Sequence, residues 1–147
     1  MNKILINLNN LLKQFEHAIV IWEIALNDAV DCWNEVVKQK TVVENVKERR
    51  FEKKIEIYKK ELENENHLLT SLTRKFGNAQ QNRVELLKSI QIIHQIFCNK
   101  AKNSSITDSE EFKTLQNYDW SKVKPMTLKE AISKLIGKID RTILLLL

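Results

Sequence analysis

Two pairs of side chains in this sequence have the types and spacing from which chemistry could arise. His94 and Cys98 are four residues apart, which on a helix places an imidazole one turn from a thiol, as in half of a metal site or a thiol beside a base. Glu63 and His67 have the same spacing within a charged stretch. The simpler interpretation of the first pair is two common residue types on one helix flank, and that of the second is a solvated pair.

The wider motifs of catalysis and ligand binding are missing from the sequence. It has no His-x-x-x-His pair, no Glu-x-x-His repeat of the di-iron bundles and no Cys-x-x-Cys pair. Its 2 glycines are too few for the glycine-rich loops that cradle phosphates. We therefore predict a protein that is not an enzyme, with no catalytic residues, no cofactor and no metal.

Basic residues concentrate between Lys38 and Lys60. This window holds nine Lys or Arg against four Glu, and its candidates for phosphate contacts are Lys47, Arg49, Arg50, Lys53 and Lys54. Such residues could bind nucleic acid or acidic lipid, or they could form a solvated helix face. The solvated face is favoured, because Phe51 and Tyr58 are predicted on the apolar seam and are then not free to stack on bases. The glutamates, spaced by four, would also repel phosphate.

Four aromatic residues are candidates for a partner interface. Phe15, Trp22 and Trp33 fall on an apolar stripe with helical spacing, which predicts core positions or the anchors of a partner interface. Trp120 lies in an irregular segment beside Tyr118, where it would either staple that segment to the bundle or project as a contact residue.

Heptad repeats of apolar residues indicate the helices on which these side chains lie. The first repeat consists of Leu8, Phe15, Trp22, Ala29, Val36 and Val43, with Leu5, Leu12, Ile19, Leu26 and Trp33 at the complementary positions. The second consists of Phe51, Tyr58, Leu72, Ala79, Leu86 and Ile93, with Ile55, Leu62, Leu69, Phe76, Ile90 and Phe97. Apolar seams of this length are typical of coiled-coil-like helices. Because the two repeats are out of phase, we expect a turn between them.

Two positions compete for that turn. Thr41 with Glu44 has the form of a capping box, whereas Gly77 could end one helix before Asn78 begins the next. The second repeat keeps its phase through Gly77, so we favour a turn near Thr41. The prediction is an antiparallel hairpin of two helices, at about residues 3–40 and 42–101.

A helix over residues 51–97 would be about 70 Å long, which exceeds the dimensions of a compact chain of this size. Two alternatives follow from that length. Either the molecule is elongated and another chain completes its exposed seam, or the helix breaks at Gly77 and folds back into a bundle.

The remainder of the chain is predicted to complete the bundle. A loop at about 102–107 precedes a short helix at about 108–117, for which Thr107 with Glu110 supplies a capping box. Thr127 with Glu130 supplies another for an amphipathic helix at about 128–147. The apolar face of this last helix consists of Leu128, Ile132, Leu135, Ile136, Ile139 and Ile143.

Composition supports a single all-α domain over residues 1–147. The sequence contains only 2 Gly and 1 Pro, too few for the turns of a sheet protein. No apolar run is long enough to span a bilayer, and Asn7, Asn9 and Asn10 interrupt the stretch where a secretory signal would need its apolar core. The 2 cysteines do not suggest a disulfide framework. We expect an intracellular, most simply cytoplasmic, protein.

These observations predict a non-catalytic subunit for protein–protein interaction or assembly, which binds a partner chain or a second copy through its heptad seams. Two alternatives stay open. The basic window and the carboxy-terminal lysines could serve the nucleic-acid-binding small subunit of a ribonucleoprotein. An inhibitor or immunity-type protein would have the same sequence features.

Overall fold

The computed structural model describes residues 2–146, with backbone only for Asn2. Helices make up 88% of the chain, and no strand occurs in this part. The four helices are α1 (Asn2–Glu48), α2 (Ile55–Ala101), α3 (Glu110–Gln116) and α4 (Pro125–Leu146), and a single 3-10 turn (Ser105–Asp108) precedes α3. The long helices α1 and α2 pack as an antiparallel hairpin, so the predicted all-α hairpin bundle is confirmed.

The turn of the hairpin lies at residues 49–54, and the prediction of a turn near Thr41 was wrong. Thr41 is inside α1, where its hydroxyl donates to the carbonyl of Val37 at 3.2 Å. A threonine side chain bonds equally well to the preceding turn of its own helix, so a Thr-x-x-Glu pattern does not by itself mark a helix start. The phase difference between the two repeats was the better signal, since it requires a turn somewhere between Val43 and Ile55.

Gly77 does not interrupt α2, and the alternative of a break there is not observed. The glycine has no positive φ angle and continues the helix. A β-carbon added to Gly77 would meet no atom within 4 Å. The second repeat therefore keeps its phase because the helix itself is continuous.

Two further predicted helix starts, those of α3 and α4, are displaced. Helix α3 is capped by Ser109, whose hydroxyl accepts from the backbone N–H of Phe112 at 3.2 Å, and not by Thr107, whose hydroxyl donates to Ser104. Helix α4 begins at Pro125, because proline has no N–H to leave unsatisfied in a first turn. The predicted end of α4 at Leu147 lies outside the described residues.

Contacts within the chain divide it into two compact units. Unit 1 consists of Met1–Glu23 and Leu86–Leu147, and unit 2 is Ile24–Glu85. Both long helices contribute to each unit. The single domain over residues 1–147 stays a prediction.

Unit 1 has a core to which all four helices contribute. Its fully buried side chains include Leu8, Leu12, Phe15 and Ile19 of α1, Ile90 and Phe97 of α2, Phe112 and Leu115 of α3, and Ile132, Leu135 and Ile139 of α4. Two polar contacts link α4 to α1: Asn9 donates to Asp140 at 2.7 Å, and Lys129 pairs with Glu23 at 2.9 Å. The amphipathic last helix thus docks through its apolar face, as predicted.

Unit 2 is built from α1 and α2 only. On α1 the buried side chains are Ala25, Ala29, Cys32, Val36, Gln39, Val43 and Val46. On α2, no side chain between Ile55 and Glu85 is fully buried; the apolar seam residues from Tyr58 to Ala79 are half-buried, and Ile55 is exposed. The buried Gln39 of α1 donates to the side chain of Glu65 at 2.6 Å and to its carbonyl at 3.0 Å. Glu65 lies between Tyr58 and Leu72 in the second repeat, where it replaces an apolar residue. This glutamate therefore satisfies a buried polar group of the facing helix.

Replacing Gly77 by Ala should stabilise the protein. Because α2 runs through this position and the space beside it is open, the exchange should raise the free energy of unfolding by about 0.5–1 kcal/mol, the cost of glycine inside a helix. Chemical denaturation followed by circular dichroism measures this change. Gly137→Ala, a matched exchange inside α4, should give a similar gain. A Gly77→Ala variant less stable than the parent would contradict a continuous α2.

Candidate functional site

Phe15 and Trp22, two of the candidates for a partner interface, lie in the core of unit 1. Phe15 is completely buried, with the ring of His94 packed edge-on at 5.9 Å between centroids, and Trp22 is buried as well. Their burial within the chain leaves no surface for another protein. Of the four aromatic candidates, only Trp33 and Trp120 expose part of their rings.

Trp120 is half-buried and fixes the segment between α3 and α4. Its ring packs edge-on against His94 of α2 at 5.2 Å and against Tyr118 at 5.0 Å. The Tyr118 hydroxyl in turn accepts from the backbone N–H of Lys124 at 2.7 Å, just before α4 begins. These contacts match the staple interpretation of Trp120.

Trp33 is 43% exposed, although the heptad pattern allowed it a place in the core. It lies at the margin of unit 2, where its ring packs on Phe76 of α2 at 5.1 Å between centroids. The ammonium group of Lys40 lies 5.1 Å from the centre of the same ring, within the range of a cation–π interaction. The indole is therefore held in place while part of its surface faces outward.

The exposure of Trp33 follows from a change in the buried face of α1. In unit 1 this helix contacts both α2 and α4, and the row containing Leu12 and Ile19 is buried. In unit 2 only α2 packs against it, and the buried row passes through Ala25, Cys32 and Gln39. The predicted seam positions Leu26 and Trp33 then fall at the edge of the contact.

A shallow groove of about 400 Å³ runs between the helices of unit 2 beside Trp33. Its apolar lining comes from both helices, and Gln80 and Arg83 form its polar end; the apolar residues are Leu26, Ala29, Val30, Trp33 and Phe76. We name this surface the Trp33 groove. A lining of this kind can bind apolar side chains of another helix, and aromatic rings at such positions are frequent anchors of protein interfaces.

The His94–Cys98 pair does not form a reactive site. The thiol sulfur lies 3.7 Å from Nε2 of His94, but that nitrogen also bonds to the carbonyl oxygen of Leu115. Because a carbonyl oxygen only accepts, Nε2 carries the proton and has no lone pair for the thiol. Burial also raises the pKa of the Cys98 thiol, which disfavours the thiolate.

The other polar candidates are exposed side chains. Glu63 and His67 form a solvent-exposed pair at 3.6 Å, as the sequence suggested. Among residues 2–146 no three His, Cys, Asp or Glu side chains cluster in a way that could hold a metal ion.

The basic window occupies the end of α1, the turn and the start of α2, and several of its side chains are already engaged. Lys47 pairs with Glu44 at 3.5 Å, and Arg49 donates to the carbonyl of Asn45 at 3.2 Å. Lys53 bonds to the carboxylate of Glu61 at 2.7 Å, and its ammonium group lowers the pKa of that carboxyl. These contacts are typical of a solvated helix face, where exposed pairs contribute little to stability.

Two residues of the window contradict their sequence interpretation, since Phe51 and Ile55 were both predicted on the apolar seam and Ile55 is 66% exposed. Phe51 was predicted on the apolar seam, but it lies in the turn and is 88% exposed. The guanidinium of Arg50 stacks on its ring at 4.9 Å. Phe51 is therefore an aromatic side chain that accompanies the basic residues on the surface, contrary to one of the reasons given above for favouring a solvated face.

Comparison with known proteins gives no family model that matches the chain, and no similar curated protein or solved structure. Within residues 2–146, none of the helices combines the length and the apolar character needed to cross a bilayer.

The thiol of Cys98 should be slow to alkylate. In a Cys32→Ala variant, which leaves Cys98 as the single thiol, iodoacetamide should react at least about tenfold more slowly with the native protein than with the same protein unfolded in urea, since burial disfavours the thiolate. Mass spectrometry over time measures both rates. A native rate equal to that of the unfolded chain would show that Cys98 is accessible, and a higher rate would show that its thiol is activated; either would contradict the buried thiol.

Proposed function

We propose that this protein is a non-catalytic assembly subunit that associates through the Trp33 groove. The observation that carries the proposal is the incomplete cover of the seam in unit 2. There, Leu26, Val30 and Trp33 of α1 and Phe76 of α2 form one partly exposed apolar surface, whereas the seam of unit 1 is covered by α4.

The physical reason is the cost of leaving this surface in water. Covering apolar area contributes roughly 25 cal/mol per Å² that is removed from solvent. A helix laid along the groove could bury Trp33 and Phe76 together through side chains spaced by three and four residues. Because Phe76 and Lys40 already hold the Trp33 ring, little conformational entropy would be lost when a partner binds.

The occupant we favour is a second copy of the chain. Two hairpins that meet through the same groove would form a four-helix bundle with a two-fold axis, and each copy would cover the other. Charge permits this arrangement, because unit 2 contains twelve basic and eleven acidic residues although the whole chain has a formal charge of +5. Two copies of unit 2 would therefore meet without strong net repulsion.

Size-exclusion chromatography with light scattering should show a dimer whose population rises over about a hundredfold range of protein concentration. Trp33→Ser should weaken this dimer at least about tenfold, the loss typical of a central aromatic anchor. The monomeric variant should keep its helical circular dichroism, because much of the Trp33 side chain is exposed in the single chain.

Ile24→Ser is the matched control for this experiment. Ile24 is an exposed apolar residue of the same helix, but it lies about 160° around α1 from Leu26 and does not line the groove. Its replacement should leave the dimer intact. A parent protein that is monomeric throughout the concentration range, or a dimer that Trp33→Ser and Ile24→Ser affect equally, would contradict assembly through this groove.

A further inference from the structure

The turn between α1 and α2 combines strongly exposed apolar side chains with a high density of positive charge. Phe51 is 88% exposed and Ile55 is 66% exposed. Between Arg49 and Lys60 the chain has six basic residues and only two acidic ones. Phe51 does not belong to a packed core, since its side chain is almost fully exposed with the Arg50 guanidinium 4.9 Å from the centre of its ring.

The exposed groups converge on one surface, which we name the turn surface. A shallow cavity of about 380 Å³ has an apolar floor and a basic rim, and its lining residues are Arg50, Phe51, Lys53, Ile55, Tyr58 and Lys59. Lys53 is partly neutralised by Glu61 at 2.7 Å, which leaves Arg50 and Lys59 as the rim cations free of that pairing. A ligand with an apolar part and an anionic headgroup would complement this arrangement, with its apolar part on the floor and its negative charge at the basic rim.

We propose that the turn surface docks on an anionic phospholipid membrane. Phe51 and Ile55 enter the boundary between the headgroups and the acyl chains, and the surrounding Arg and Lys side chains bind the lipid phosphates and carboxylates. Both contributions are needed, since peripheral membrane binding combines buried apolar area with electrostatic attraction to acidic lipids. This interaction is peripheral and uses a surface other than the Trp33 groove, so it does not depend on the proposed assembly.

The side chains of the turn fit a lipid surface better than a nucleic acid. Binding of single strands relies on several aromatic faces along a basic groove. Here Phe51 is the single strongly exposed aromatic residue of the turn surface, the Arg50 guanidinium lies over one face of its ring, and Tyr58 is half-buried. Ile55 has no π-face to stack on a base, whereas it can enter an acyl layer.

Vesicle flotation with the full chain tests the proposal. Vesicles of phosphatidylcholine with about 30 mol% phosphatidylserine should bind the protein, and pure phosphatidylcholine vesicles should not. Binding should weaken as salt is raised, because the charges are exposed. Circular dichroism melting shows whether each variant is folded; Phe51 is so exposed that its replacement should leave the melting temperature nearly unchanged.

Two variants separate the apolar contribution from the charged one. Phe51→Ser should lower the partition coefficient on anionic vesicles about tenfold or more, the value of a buried aromatic side chain. Arg50→Gln combined with Lys59→Gln, which removes the two rim cations of the turn surface, should lower it by about fivefold per residue. The matched controls are Leu68→Ser, an exposed apolar residue elsewhere on α2, and Lys122→Gln with Lys124→Gln, two exposed lysines of unit 1; both should bind like the parent.

Three outcomes would overturn the proposal. The first is a folded parent protein that does not bind anionic vesicles at low salt. The second is an equal loss of binding in the turn variants and the controls, which would indicate attraction by net charge alone. The third is tighter binding to a single-stranded oligouridine than to vesicles, lost in the turn variants, which would assign the turn surface to nucleic acid.

Discussion

A helical hairpin in water can bury only the stripe along which its two helices touch, and every other apolar row needs a further helix to cover it. This constraint decides which residues of the chain are core and which are surface. Where α4 packs on α1, the wide apolar face that includes Phe15, Ile19 and Trp22 is fully buried. Where α1 has only α2 beside it, a narrower face is buried, and Leu26 and Trp33 lie at its edge.

The heptad pattern was sufficient to predict the two long helices, the phase difference between the repeats indicated the turn that makes them antiparallel, and the amphipathic face of the last helix indicated that it docks. The pattern could not predict which side of α1 would be buried in unit 2. Two adjacent rows of apolar residues run along the helix there, one through Leu26 and Trp33 and the other through Ala25 and Cys32, and either could face α2. The choice between these rows depends on how many helices pack there. Local capping patterns were weaker predictors, since Thr41 and Thr107 bond within the preceding turns instead of capping a helix.

The candidate functional surfaces also depended on tertiary structure that the sequence pattern does not contain. The basic residues of the window were visible in the sequence, but the position of Phe51 depended on where the turn falls, and a turn at residues 49–54 moves its ring from the expected seam to the surface. Glu65 interrupts the apolar pattern of α2, and its hydrogen-bond partner Gln39 lies on α1. A pattern within one helix does not contain pairings of this kind, because they depend on the register between two helices.

The apolar seam of unit 2 is only partly covered in the single chain. Amide hydrogen exchange along α1, measured at low and at high protein concentration, tests this incomplete cover most directly, since protection reports local opening within one helix. We predict that amides of residues 24–48 exchange faster than those of residues 8–22 at low concentration, and that only the former slow down as concentration rises. Equal protection of both segments at the lowest concentration, with no change on raising it, would contradict the account.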